Sequence, residues 1–250
     1  MARVDLHFHL LPGLDDGPTT IEESVGLARA AAAEGTRAIV ATPHVRPDYV
    51  TDVSELPEIV AAVAGRFELE GIDLTVHCGA ELGHDMVGRM SQEELETIAI
   101  GPLNARWLLV ETPFGGLDDT VSNAADELRD RGFAVVLAHP ERSTGLLEHH
   151  HAGLRRELER GTMLQVNALS LIGRHGEEAE DAANYLVAEG LVEVIASDAH
   201  SLVRGPALTV AHDAVIARGI SVRAARRLTD VNPARLLTRG AVAAPQRAVA

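Results

Sequence analysis

The sequence predicts an α/β protein whose parallel strands close into a barrel of the (β/α) type. Three observations lead there. Seven short apolar runs punctuate a chain of 250 residues, and most are continuous rather than alternating, as suits strands buried on both faces. Helical stretches separate them, and strand–helix alternation produces a parallel sheet. Seven such units in about 240 residues match the size of a barrel; an open doubly wound sheet is the alternative. No linker divides the chain. A single domain over 1–240 is therefore expected, with 241–250, small residues and a proline, as a mobile tail.

The expected strands are, in order, Val4–His9, Ala38–Thr42, Leu74–Gly79, Trp107–Thr112, Ala134–His139, Met163–Asn167 and Val192–Ala196. The first helix is the clearest. Thr20 followed by Glu23 reads as a capping box, and an Ala-rich run ends at Gly35, a natural stop. Further helices are expected near Ser54–Glu70, Asp118–Arg131, Gly153–Gly161, Glu177–Gly190 and Pro206–Gly219. Short ones around Val222–Leu228 and Asn232–Thr238 close the fold.

Composition removes several classes of function. With 22 cationic and 37 acidic side chains the net charge is −15, the opposite of a nucleic-acid surface. Every cation is Arg; without Lys there is no Schiff-base lysine, no phosphate-loop lysine and no carbamylated lysine bridging metals. Cys78 is the only cysteine, so neither an intrachain disulfide nor a Cys-rich zinc site forms, and a reducing, cytoplasmic compartment is expected. The segment Met1–Gly13 lacks the apolar core of a signal peptide. No run of about 18 apolar residues suits a membrane span.

The ionisable residues fall at strand ends. His7 and His9 end the first strand, His44 follows the second, Glu81 follows the third, and Glu111 and His139 end the fourth and fifth. Asp198 and His200 follow the seventh. In a parallel barrel these ends share one face, the face that carries active sites. His7 and His9, at i and i+2, point the same way on a strand, and Asp198 and His200 repeat that spacing. Imidazoles and carboxylates are nitrogen and oxygen ligands for Zn, Mn or Fe, so a metal centre is expected. Cys78 is followed six positions on by His84, not Arg, so there is no C-x5-R phosphatase loop; D-x-D, G-x-S-x-G, H-E-x-x-H and G-x-G-x-x-G are also missing. Cys78 reads as a small apolar packing residue.

The stretches Asp5-Leu-His-Phe-His-Leu-Leu-Pro-Gly-Leu-Asp-Asp-Gly-Pro18, Thr42-Pro-His44, Gly79-Ala-Glu81, His139-Pro-Glu-Arg142, Gln165-Val-Asn167, Ser197-Asp-Ala-His200 and Asn232-Pro233 together resemble the polymerase and histidinol phosphatase (PHP) superfamily. Within it the sequence most resembles the manganese-dependent protein tyrosine phosphatases of bacterial capsule and exopolysaccharide clusters, from about residue 3 to 238.

The resemblance implies a distorted (β/α)7 barrel and a centre of two or three metal ions, Mn²⁺ with Fe or Zn²⁺ as alternatives. It implies His7, His9, Glu81 and Asp198 around one ion, Glu81, Glu111 and His139 around a second, and Asp16, His44 and His200 around a third. Asp15 stands as a turn residue beside Asp16. Arg142 and Arg204 would hold phosphate while a hydroxide bridging the metals attacks it. The implied substrate is a phosphotyrosine protein, a bacterial tyrosine autokinase of polysaccharide synthesis. No nucleic acid or membrane insertion is implied, and a histidinol-phosphate phosphatase is the alternative. Ser143 stands where relatives often place an aromatic residue.

Other residues carry blander expectations. The run His149–His151 reads as a solvated surface, and His77, His175 and His212 as structural or surface groups. His84 is expected near the rim, Arg46 near phosphate, Asn167 near the centre, and Asp5 behind the His7/His9 strand.

Overall fold

The computed structural model of the chain describes residues 3–147 and 152–242. The His149–His151 run and the tail beyond residue 242 lie outside the described residues. Nine strands occur among them: β1 (Arg3–Phe8), β2 (Thr36–Ala41), β3 (His44–Val45), β4 (Thr75–Cys78), β5 (Glu81–Gly83), β6 (Trp107–Glu111), β7 (Ala134–Ala138), β8 (Met163–Asn167) and β9 (Val194–Ala196). The helices are α1 (Ile21–Ala33), α2 (Leu56–Leu69), α3 (Gln92–Ile98), α4 (Asp119–Asp130), α5 (Ala152–Glu159), α6 (Glu177–Ala188), α7 (Leu208–Ala217), α8 (Val222–Arg226) and α9 (Asn232–Arg239). The seven expected strands are all present, as are the expected helices.

All ladders are parallel, in the orders β1-β2-β4 and β3-β5-β6-β7-β8-β9. The two extra strands come from breaks. The second strand is interrupted at Thr42-Pro43 and the third at Gly79-Ala80, so each contributes to both sheets. Two hydrogen bonds carry the pairing across the break, Gly79 N to Ala41 O at 3.0 Å and Glu81 N to Pro43 O at 3.1 Å. At the other end, β1 meets the segment after β9 at one bridge, Phe8 with Ala199, with His9 N on Ala199 O and Asp198 N on His7 O. Seven strand positions thus follow one another in chain order. The first and last are linked by this isolated bridge alone, so the expected barrel is not closed by a ladder among the described residues.

The larger core lies between strands and helices, with Phe8, Leu27, Ile39, Phe67 and Leu108 among its buried members. A second cluster, including Leu6, Trp107, Leu109 and Val136, is capped by Leu236 of α9, whose carbonyl accepts the Trp107 indole N–H at 3.2 Å. On β6 the stripe Trp107, Leu109, Glu111 has one side-chain direction; it starts in this core and ends at the site described next.

Helix starts follow local chemistry. Thr20 caps α1 by accepting from Glu23 N at 3.3 Å, but the Glu23 carboxylate turns to Thr19, taking its N–H at 2.7 Å and its hydroxyl at 3.0 Å. The expected reciprocal bond to Thr20 is therefore made one residue earlier. A complete capping box stands instead at Ser91 and Glu94, on α3, which is too short to show a helical period in the sequence. After α8 the chain passes through a π turn, Arg227–Val231, directly into α9.

Candidate metal centre and substrate cleft

The strand ends bring the sequence-predicted residues together. His7 Nε2 lies 3.2 Å from His9 Nε2, 3.2 Å from Glu81 Oε2 and 3.3 Å from Asp198 Oδ1. His9 Nε2 is 3.3 Å from Glu81 and 3.4 Å from Asp198 through the same oxygens. Four donor atoms so spaced surround a point about 2 Å from each, a typical distance from a divalent cation to imidazole or carboxylate. Asp16 Oδ1 faces His200 Nε2 at 3.3 Å and His44 Nε2 at 3.6 Å. His139 Nε2 is 2.7 Å from Glu81 Oε1, and His44 Nδ1 is 3.1 Å from Glu81 Oε2. Three groups of ligand-capable atoms result: His7, His9, Glu81 and Asp198; His9, Asp16, His44 and His200; and His44, Glu81 and Glu111. His139, expected with Glu81 and Glu111, meets Glu81 Oε1 and stands outside these three groups.

Outer hydrogen bonds aim these side chains. The Gln165 Oε1 faces His7 Nδ1 at 3.0 Å, its amide donates to Asn167 Oδ1 at 2.8 Å, and Asn167 Nδ2 donates to Asp198 Oδ2 at 2.7 Å. His9 Nδ1 meets Asp15 Oδ2 at 2.6 Å, and His200 Nδ1 meets the Asp198 carbonyl at 2.9 Å. Each acceptor holds a proton on Nδ1, so Nε2 of His7, His9 and His200 carries a lone pair toward the cluster when the ring is neutral. Asp15 is thereby spoken for: it also accepts from His44 N at 3.0 Å and Gly17 N at 2.9 Å. Asp16 is the member of the pair that faces the cluster. Asp5 lies behind the strand as expected, accepting from His7 N and Ser197 N, and burial pushes its carboxyl up to about 7.

The two positive-φ residues other than glycine among the described residues are His139, at 37°, and Asp198, at 52°. Asp and His adopt such backbone more readily than most residues, yet it is uncommon and concentrates at functional sites. Pro140–Arg142 follows His139 as a 3-10 turn that presents Arg142.

The donor set fits divalent cations. Glu81 Oε2 and Asp198 Oδ1 are buried and accept no hydrogen bond, a costly state unless a cation compensates them. Burial alone would raise Glu81 and Asp198, yet His7 and His139 outweigh it and hold both well below the usual carboxylate range. Burial alone would lower His7 and His9, but Glu81 and Asp198, joined at His9 by Asp15, raise both. Burial takes His44 down to about 4, keeping it a neutral, ligand-competent imidazole.

Above the cluster opens a cleft of about 240 Å³. Arg142 Nη1 and Arg204 Nη2 each donate to Asp198 Oδ2 at 3.3 Å. Arg142 therefore pairs with Asp198, not with Glu141, which is buried and accepts from Asn167 N and Ser170 Oγ. Arg46, expected near phosphate, lines the cleft but is bound to both oxygens of Glu111, at 2.9 and 3.0 Å, and to Asp48. His84 lies outside this cleft, in a neighbouring hollow that shares Arg46 and Phe114. Gln165, Tyr49 and Phe114 carry no motif of their own; Gln165 stands out in the sequence only within the matched stretch Gln165-Val-Asn167. Five carboxylates and three guanidiniums in the lining leave it net negative with neutral histidines. Two bound divalent cations reverse that sign and make it attractive to a phosphate dianion.

Parallel strands ending in a buried imidazole–carboxylate cluster are the build of metallohydrolase-type α/β proteins. Solved structures agree on the fold: the phosphotriesterase homology protein from Escherichia coli superposes with a TM-score of 0.61 at 13% identity over 94% of this chain and 98% of that one. Residues 3–238 match the family model described as capsular polysaccharide synthesis, CpsB/CapC, and the chain belongs to that family. Tyrosine-protein phosphatase YwqE of Bacillus subtilis is 30% identical over 80% of this chain and 78% of its own length. Tyrosine-protein phosphatase CpsB of Streptococcus pneumoniae is 27% identical over 94% of this chain and 98% of its own. A crystal structure from the work on YwqE and CpsB, described as unique metal-dependent tyrosine phosphatases, superposes with a TM-score of 0.83 at 27% identity, covering 99% of this chain and all of that one.

Proposed function

We propose that the chain is a metal-dependent protein tyrosine phosphatase, one catalytic domain over 1–240, acting in the cytoplasm on a tyrosine autokinase of capsular or exopolysaccharide synthesis. The observation that carries this reading is the juxtaposition of two guanidiniums, on one oxygen of Asp198, with the imidazole–carboxylate cluster beneath them. Family membership supports it.

His7, His9, Glu81 and Asp198 would hold one ion, Glu81 with Glu111 and His139 a second, and Asp16, His44 and His200 a third. Mn²⁺ is the ion proposed. Divalent cations bound there would lower the pKa of water and offset charge on the phosphoryl group. Arg142 and Arg204 bind the phosphoryl oxygens through N–H donors not used on Asp198, in the planar fork that suits phosphate. Gln165, Asn167 and Asp15 keep the ligands oriented. A phenolate leaving group, with a pKa of about 10, departs with less proton donation than an alkoxide. The cleft is smaller than the ~300–1,000 Å³ of small-molecule pockets. A cleft of that size takes a phosphoryl headgroup, and the neighbouring hollow that shares Arg46 and Phe114 lies beside it.

Steady-state hydrolysis of a phosphotyrosine peptide, a phosphoserine peptide and histidinol phosphate, each with Mn²⁺, tests the reading. The phosphotyrosine peptide is expected to show the highest kcat/KM. A preference for histidinol phosphate would replace the reading with a small-molecule phosphatase.

A further inference from the structure

The cleft holds two side chains to which the reading above gives no task. Tyr49 and Phe114 both line it, and the two residues are 39% and 49% exposed. The chain has only seven Phe, Tyr and Trp residues in 250. Phe8, Phe67, Phe133 and Trp107 are buried in the core, and the seventh, Tyr185 on α6, is 37% exposed and does not line the cleft. Leaving a large ring in water forgoes the stabilisation of burial. Two such rings at one cleft mouth, in a chain so poor in them, mark a binding surface.

Their placement is specific. Tyr49, in the loop after β3, stacks on the His44 imidazole with centroids 5.3 Å apart and planes 13° from parallel. Phe114, in the loop after β6, lies 6.3 Å from the His139 ring at 18°, with the Arg142 guanidinium 4.7 Å from its centroid. His44 and His139 reach Glu81 through different carboxylate oxygens, Oε2 and Oε1. The two rings therefore stack on different histidines that meet the same carboxylate. Arg142 is held between Asp198 and the face of Phe114. Arg142 and Arg204 line the same cleft as both rings, so a phosphate seated against them would have its ester substituent within the space the rings border.

We propose that Tyr49 and Phe114 form an aryl-recognition subsite that reads the ring of phosphotyrosine and makes the site selective for aryl over alkyl phosphate monoesters. The inference rests on the phosphatase reading above and deepens it. A phenyl ring offers a face and an edge to both side chains, the arrangement aromatic groups prefer. A phosphorylated Ser or Thr offers one or two sp³ carbons and leaves both rings in water. Phe114 has a second task, steadying Arg142 through a cation–π contact, whereas Tyr49 stacks on an imidazole. The two substitutions therefore report differently.

The test is calorimetric binding of phenylphosphonate, ethylphosphonate and inorganic phosphate to the Mn²⁺-loaded chain, as wild type, Tyr49→Leu, Tyr49→Phe and Phe114→Leu. The two phosphonates share a dianionic head and differ in the substituent. Wild type is expected to bind phenylphosphonate at least tenfold more tightly than ethylphosphonate. Tyr49→Leu should narrow that ratio by threefold or more with phosphate affinity within twofold of wild type, and Tyr49→Phe should keep the ratio. Phe114→Leu should narrow the ratio and also weaken phosphate. Equal wild-type affinity for the two phosphonates, or variants that weaken both by the same factor, would overturn the subsite. No turnover is measured, so a chain that prefers phenylphosphonate yet hydrolyses histidinol phosphate best would keep the subsite and lose the phosphotyrosine assignment.

Discussion

At the scale of single residues the site depends on which oxygen or nitrogen is already engaged. Asp15 and Asp16 are adjacent and chemically alike, and the H-x-H and D-D-G-P spacing could not separate their roles. The bonds to His9, His44 and Gly17 do. Gln165 was legible only as part of a matched stretch, because a neutral amide gives no motif; its contacts with His7 and Asn167 show what it does. Gln165→Leu should weaken metal affinity by about 10–100-fold, as loss of an orienting partner does, and metal titration with a chromogenic competitor would measure it. Arg142→Ala should lower kcat/KM for a phosphotyrosine peptide by about 100-fold or more, on the order of 3 kcal/mol, with metal content unchanged and Arg142→Lys recovering only part. An alanine variant with normal turnover and intact metals would move the anion clamp to Arg204. Cys78 packs against the core, and burial pushes its thiol up to about 11 from 9.0. The unfolded chain loses that proton first, so this group leaves stability untouched below pH 9 and diminishes it as pH rises from 9 toward 11. Cys78→Ser should therefore keep activity within a few-fold, and alkylation of the native thiol at pH 8 should be far slower than that of a free cysteine.

At the scale of elements, apolar runs located the strands because parallel strands covered on both sides show an uninterrupted signal. The breaks that create β3 and β5 were not legible. Each leaves a piece of two or three residues, too short for a pattern, and each depends on contacts distant in sequence. Gly79 shows why one break sits where it does. A Cβ there would lie 2.6 Å from Val40 Cγ1 and 3.1 Å from Ile100 Cγ1, so the chain needs glycine to pass between them. Gly79→Ala should destabilise the fold by about 1–3 kcal/mol through overpacking. It should also disturb Glu81, two residues on, which pairs with His44 in the ladder. Thermal denaturation together with metal titration of the variant checks both effects. The short α3 was missed for want of length, although its Ser91–Glu94 box was in plain view.

At the scale of the whole molecule, a chain of net charge −15 gathers five carboxylates and three guanidiniums in one cleft, which would attract a phosphate only with divalent cations bound. The convergence of His7, His9, Glu81, Asp198 and their neighbours was legible because a parallel α/β fold places strand C-termini on one face. The aromatic walls were not, since Tyr49 and Phe114 sit in loops without a recognisable pattern. Among the described residues no helix is long and apolar enough to cross a membrane. On the proposed reading, this cluster works by holding divalent cations. The most direct test is the rate of phosphate release from a phosphotyrosine peptide by the chelator-treated chain as Mn²⁺ is titrated back. Chelation is expected to abolish hydrolysis, and activity to return in step with the binding of two or three ions per chain. Full hydrolysis by a chain that elemental analysis shows to be free of transition metal would contradict that reading.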